Sequence, residues 1–217
     1  MPLFHPASVQ ARLLSGDWTI FLAASLVVAA IMFALIILPA IVWRRRPNSG
    51  LPPQFNKNPR WSIVYIGVPL LLVAGLFVPS YIRQKLVDAI APSPSVVVDV
   101  TAFRWSWRFH YPHSGVTIVG TPRTIPTLVL PVGETTQINL TSADVDHSFW
   151  VPAFLFKRDA LPGYENHFDL TPTRIGEFRG VCSQFCGVDH AYMLFRVRVV
   201  SDAAFARWRN SKGLATL

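Results

Sequence analysis

The stretch Val181-Cys182-Ser183-Gln184-Phe185-Cys186-Gly187-Val188-Asp189-His190-Ala191-Tyr192-Met193 holds both cysteines of a 217-residue chain, with a histidine and a methionine close behind them. Two thiols, an imidazole and a thioether are soft donors that suit copper or zinc and serve poorly for magnesium or calcium. A second imidazole, His147, stands in Asp144-Val145-Asp146-His147-Ser148-Phe149-Trp150. Cys182, Cys186, His147, His190 and Met193 together form a complete set for two coppers, and one side chain too many for the four ligands usual at zinc. A structural disulfide is the plainest rival in an exported domain, but it leaves His190 and Met193 at these offsets unexplained. Gly187 lets the chain turn tightly after the second thiol. His147 comes from a distant loop, so the site closes only when the domain folds, and metal loading is coupled to folding.

Outward from this motif, the composition separates the chain into parts. Apolar residues make up 51% and charged ones 15%, and the apolar excess is concentrated in residues 18–43 and 61–82, neither of which carries a formal charge. Each run exceeds the roughly 20 residues a helix needs to cross a bilayer. The first is too long for the core of a cleaved signal, and its basic residues follow it instead of preceding it. Arg44, Arg45, Arg46, Lys57 and Arg60 all lie between the runs with no acid among them, which places that loop, residues 44–60, on the cytoplasmic side and both termini outside. Trp18, Trp43, Trp61, Tyr65 and Tyr81 flank the spans, as interfacial rings do. The net charge of +8 is therefore largely a topology signal: residues 83–217 carry 14 Lys or Arg against 11 Asp or Glu. No nucleic-acid partner is expected; the expected surroundings are a lipid bilayer and other subunits.

Residues 1–17 form an outer segment without strong pattern, expected to lie over the outer surface or pack on a neighbour. Residues 83–94 read as an amphipathic connector closed by Pro92 and Pro94. Beyond it the apolar period changes to two, with β-branched runs at 96–100, 127–130, 137–141 and 194–200 between Gly and Pro turns. In the last run Phe195, Val197 and Val199 share one face, and Arg196 and Arg198 the other. This spacing predicts an antiparallel sandwich or barrel over residues 95–217. Ser201 reads as the N-cap of a short terminal helix over 202–208.

The Cys-x-x-x-Cys-x-x-x-His-x-x-Met pattern with a separate Asp-x-x-His-Ser resembles the CuA-containing subunit II of haem-copper cytochrome c oxidases. The likeness runs through both spans and the cluster Phe103-Arg104-Trp105-Ser106-Trp107 to the C-terminus. It implies a two-helix transmembrane hairpin plus an all-β cupredoxin-type β-barrel, in a multi-pass protein of a bacterial plasma membrane whose CuA domain lies on the outer face. It also implies two bridging thiolates (Cys182, Cys186), two imidazoles (His147, His190), a weak thioether (Met193) and the backbone carbonyl of Gln184 around two copper ions. Trp105 matches the residue that receives electrons from a c-type cytochrome, although Ser106 stands where an aromatic is common; Trp107 is assigned to the core. The implied activity is electron transfer to haem in catalytic subunit I of a proton-translocating oxidase that reduces O2 to water. Many relatives have Glu at the Gln184 position, reaching a magnesium ion at the subunit boundary; a neutral amide is a poorer ligand for a hard cation, so Gln184 weakens the expectation of magnesium but not of copper. Ser62 stands where members commonly have a glutamate linked to proton uptake, so this chain does not supply that carboxylate. Arg104, Arg108, Lys157 and Arg158 lie in the matching segments, with Asp144, Asp146, Asp159 and Asp189 as their candidate partners. This balance points to a donor that is neutral, acidic or membrane-tethered, not a strongly basic soluble cytochrome. The alternative from another class is a membrane-anchored copper delivery or assembly protein; a quinol oxidase subunit would lack the ligands.

Overall fold

A computed structural model describes residues 5–44, 50, 58–121 and 123–213. They fall into two compact units: Gly16–Gln84, and Met1–Ser15 together with Lys85–Leu217. The first unit is built on two long helices, α1 (Val9–Val42) and α2 (Pro59–Val87). Both are long and apolar enough to cross a membrane, and they leave Leu26, Phe33, Ile36, Leu71 and Phe77 exposed, as lipid-facing helices do. Asp17 and Arg83, charges near opposite ends of the two apolar runs, form an ion pair. The expected loop 44–60 lies mostly outside the described residues, Arg45, Arg46 and Lys57 among them.

Helix α1 starts at Val9, well before the apolar run at residue 18. The cause is local capping and tertiary docking, which hydropathy does not register. The Ser8 hydroxyl accepts the Ala11 N–H at 3.0 Å as an N-cap and lies 3.4 Å from the Phe154 carbonyl. Ala7 and Thr173 are joined through the backbone at 2.9 Å, the Gln10 side chain accepts the Thr171 N–H at 3.2 Å, and Ala7, Ser8 and Ala11 are buried. The expected outer segment thus packs on the chain's own β domain. At the other end of the pair, α2 continues through Val87 into the expected connector, Asp88 pairs with Arg158 at 2.5 Å, and the Ala91 N–H bonds the buried Asp169 carboxylate at 2.6 Å.

Among its described residues the β domain has ten strands: β1 (Val96–Phe103), β2 (Ser106–Tyr111), β3 (Val116–Val119), β4 (Thr127–Pro131), β5 (Thr136–Ser142), β6 (His147–Val151), β7 (Phe156–Ala160), β8 (Asn166–Leu170), β9 (Gly176–Cys182) and β10 (Leu194–Val200). They form two five-stranded sheets, ordered β3-β2-β1-β5-β8 and β4-β10-β9-β6-β7. The four runs read from the sequence are β1, β4, β5 and β10. One expectation is corrected: the sheets are mixed, because β1 pairs with β5 and β10 with β4 in parallel. Alternation reports which face is buried, whereas strand direction depends on how distant segments meet.

Aromatic rings fill the space between the sheets. Trp107, Phe149 and Phe195 are fully or almost fully buried, with ring centroids 6.0 Å (Trp107–Phe149), 5.1 Å (Trp107–Phe195) and 4.7 Å (Phe149–Phe195) apart. Such pairs contribute about 0.5–1.5 kcal/mol each beyond their area. Gly180 is required beside them, since a Cβ there would stand 2.1 Å from the Phe195 ring. On β10, Phe195, Val197 and Val199 are buried while Arg196 and Arg198 are exposed, the alternation expected. Ser201 caps the terminal helix α3 (Asp202–Gly213) through the Ala204 N–H at 3.3 Å, and the helix runs beyond the expected residue 208.

Candidate metal centre

The second sheet brings the donors together at one end. His147 is the first residue of β6, Cys182 the last of β9, and Met193 immediately precedes β10. Pairing of Phe149 with Cys182 across β6 and β9 sets the first imidazole beside the first thiol. The Cys182 N–H bonds the Met193 carbonyl at 3.0 Å and the Met193 N–H the His190 carbonyl at 3.2 Å, so both ends of the loop are tied. Between them His190–Tyr192 makes a 3-10 turn, and Gly187 adopts φ +120°, a value that favours glycine.

Cys182 Sγ lies 3.9 Å from Cys186 Sγ, 3.8 Å from His147 Nδ1 and 3.2 Å from the Gln184 carbonyl oxygen. Cys186 Sγ lies 3.5 Å from His190 Nδ1 and 3.8 Å from Met193 Sδ. Both cysteines are free thiols. A thiolate–metal bond of about 2.3 Å and an imidazole–metal bond of about 2.0 Å, the zinc values, joined at one ion span up to roughly 4.3–4.6 Å. Each sulfur–sulfur and sulfur–nitrogen gap is shorter than that, so an ion fits between each pair. His147, Cys182 and Cys186 have their donor atoms within 4.8 Å of one another.

Electrostatics prepare the same atoms. His147 is 0% exposed, and its Nε2 is 2.9 Å from Asp144 Oδ1. A carboxylate only accepts, so Nε2 carries a proton and donates to Asp144, which turns Nδ1 toward Cys182. Burial pushes the Cys182 thiol up, but hydrogen bonds from His147 and the backbone at Ser148 and Gln184 outweigh it and bring it to about 7. Burial and the neighbouring Cys182 charge push Cys186 to about 12. One thiol is thus ready to act as thiolate near neutrality, and the second needs a cation to lose its proton.

Trp105 sits at the tip of the two-residue turn joining β1 to β2, beside Arg104. Its indole N–H donates to the Cys186 carbonyl at 3.1 Å, and its ring lies over Gly187, where an added Cβ would meet it at 3.2 Å. Trp107, by contrast, is wholly buried. The two imidazoles differ: His190 is partly exposed, with Phe185 edge-on at 5.8 Å, while Phe185, Val188 and Tyr192 are 78%, 88% and 74% exposed around it. The sequence places Asp144 only among nearby acids; Asp146 is nearer in sequence, adjacent to His147, and only the fold selects Asp144 to face the imidazole.

A β-sandwich that gathers two thiols, two imidazoles and a thioether at one end, in a chain with two membrane-length helices, defines a membrane-anchored, cupredoxin-like protein whose donors suit a soft metal. The family described as "Cytochrome C oxidase subunit II, periplasmic domain" matches residues 120–200. A probable cytochrome c oxidase subunit 2 of Streptomyces avermitilis is 37% identical, with 94% of this chain and 75% of that protein aligned. The periplasmic domain of cytochrome oxidase subunit II (CoxB) of Bradyrhizobium japonicum is similar in structure, with TM-score 0.52 and 33% identity over 57% of this chain and 96% of that one. A mixed disulfide between a thioredoxin-like protein and a cytochrome c oxidase subunit II is similar too, with TM-score 0.51, 32% identity and coverage of 58% and 96%. The chain belongs to the cytochrome c oxidase subunit II family. It is one subunit of a haem-copper oxidase, an oxidoreductase, and carries its cupredoxin-like domain outside the cytoplasm.

Proposed function

We propose that the chain accepts single electrons from a c-type cytochrome on the outer face, at a binuclear CuA pair, and passes them to haem in catalytic subunit I for reduction of O2 to water. The observation that carries this reading is the donor set itself: two free thiols 3.9 Å apart, each with an imidazole nitrogen within 3.8 Å. Held there, a copper pair would supply a one-electron carrier able to spread its unpaired electron over two ions. Cys182, Cys186, His147 and His190 would hold the pair as its strong donors, with Met193 and the Gln184 carbonyl as weaker ones. Trp105 hands electrons inward along its hydrogen bond to the Cys186 carbonyl. His190, partly open among exposed apolar residues, faces a partner surface. The neutral Gln184 supports copper here without a neighbouring magnesium.

The five cations of residues 44–60 lie inside the cell and both termini lie outside, each span (18–43 and 61–82) crossing once. Asp144, Asp159 and Asp88 are matched by Arg104, Lys157 and Arg158, which supports a neutral, acidic or membrane-tethered donor. Because a relative was captured in a mixed disulfide with a thioredoxin-like protein, a protein of that class is the fitting reductant to keep Cys182 and Cys186 as thiols before copper arrives. Copper counting on the purified full chain tests the reading: two ions with a purple colour and a delocalised seven-line spin resonance pattern are expected. A single copper without mixed-valence signal would instead favour a copper delivery protein.

A further inference from the structure

Asp144 touches both the copper ligand and the electron-accepting turn. Its Oδ1 faces His147 Nε2 at 2.9 Å and accepts the Val145 N–H at 2.7 Å. Its Oδ2 accepts the Arg104 backbone N–H at 2.8 Å and the Arg104 Nε–H at 3.3 Å. Arg104 immediately precedes Trp105, whose indole bonds the Cys186 carbonyl. One carboxylate is thereby shared between an imidazole that faces Cys182 and a guanidinium on the surface turn.

The two contacts act on His147 with opposite sign. A carboxylate accepting the outer N–H of a ligating imidazole makes that ring a stronger donor and favours the more positive, oxidised metal. A guanidinium on the same carboxylate draws its charge away and counters that effect. Half of the Arg104 side chain is exposed, whereas Asp144 is 23% exposed and His147 is 0% exposed, so the cation is the member of this chain that solvent and partners reach.

We propose that Asp144 is a positioning residue that orients His147 and, with Arg104 as its counter-charge, sets the one-electron reduction potential of the copper pair. This rests on the copper reading above. The test is an equilibrium redox titration of the copper-loaded full chain in detergent, followed by its binuclear spectrum. Asp144→Asn raises the potential, Arg104→Gln lowers it, and Arg104→Lys, which keeps the charge, stays near the wild type. The double variant matches Asp144→Asn alone, because Arg104 acts only through the carboxylate. Single variants that shift in the same direction, or not at all, overturn the proposal. If Asp144→Asn does not load copper, the Arg104 variants decide: an unmoved or raised potential in Arg104→Gln overturns it. A wild-type chain without a binuclear spectrum would instead overturn the copper reading, so the two failures are told apart.

Discussion

At Gly187 backbone and side-chain constraints meet at one atom. Its φ of +120° strains any L residue, and a Cβ would press on the Trp105 ring at 3.2 Å. Gly187→Ala should cost about 1–3 kcal/mol of backbone strain and tilt the indole off the Cys186 carbonyl. Stopped-flow reduction by the donor should slow while two coppers remain bound. Trp105→Phe, which removes the same N–H without the strain, should slow reduction and leave the copper spectrum unchanged; an altered spectrum would make Trp105 a packing residue. The sulfur ligands separate by role: Cys182→Ser or Cys186→Ser should abolish the binuclear spin resonance signal, whereas Met193→Leu should keep two coppers and shift the potential. Equal loss in all three would contradict these assignments.

Among the elements, α1 and β8 carry features their own patterns do not announce. Helix α1 gains its first turns from Ser8, which caps the Ala11 N–H and lies beside the Phe154 carbonyl; Ser8→Ala should cost about 1 kcal/mol, read as a lower unfolding temperature. On β8, Asp169 is 4% exposed, and burial raises its carboxyl above the usual range against the lowering effect of the Ala91 N–H. A raised carboxyl pKa means that the folded state penalises the ionised form. That penalty is absent below the unfolded pKa near ~3.9, grows as pH rises toward the folded value, and is constant above it. Asp169→Asn removes the penalty, so its stability relative to wild type should increase from pH 4 toward pH 7. Thermal unfolding at the two pH values measures this; a difference independent of pH would mean that Asp169 acts by shape alone.

For the whole molecule, charge pairing governs what can approach the centre. Arg104 with Asp144, Lys157 with Asp159 and Arg158 with Asp88 are matched within the chain, which reduces the attraction these acids would exert on a basic protein. Turnover of the assembled oxidase with a strongly basic soluble cytochrome c should therefore be slow and change little with salt. A steep fall in rate as ionic strength rises would point to a complementary acidic patch and against this reading.

The ligand types and their spacing, the two apolar helices and the alternation of β10 were legible in the sequence because each is a local property: donor softness, run length and a period of two are written in neighbouring residues. The parallel pairings of β1 with β5 and β10 with β4, the docking of Ala7–Ala11 on the β domain, the choice of Asp144 over Asp146 to hold His147, and the reach of Trp105 to the Cys186 carbonyl were decided only by the tertiary structure. Each joins atoms brought together from distant parts of the chain or, for Asp144 and Asp146, depends on which side chain a turn aims inward. No local pattern encodes distances of this kind; they arise when burial of the aromatic core closes the two sheets on each other.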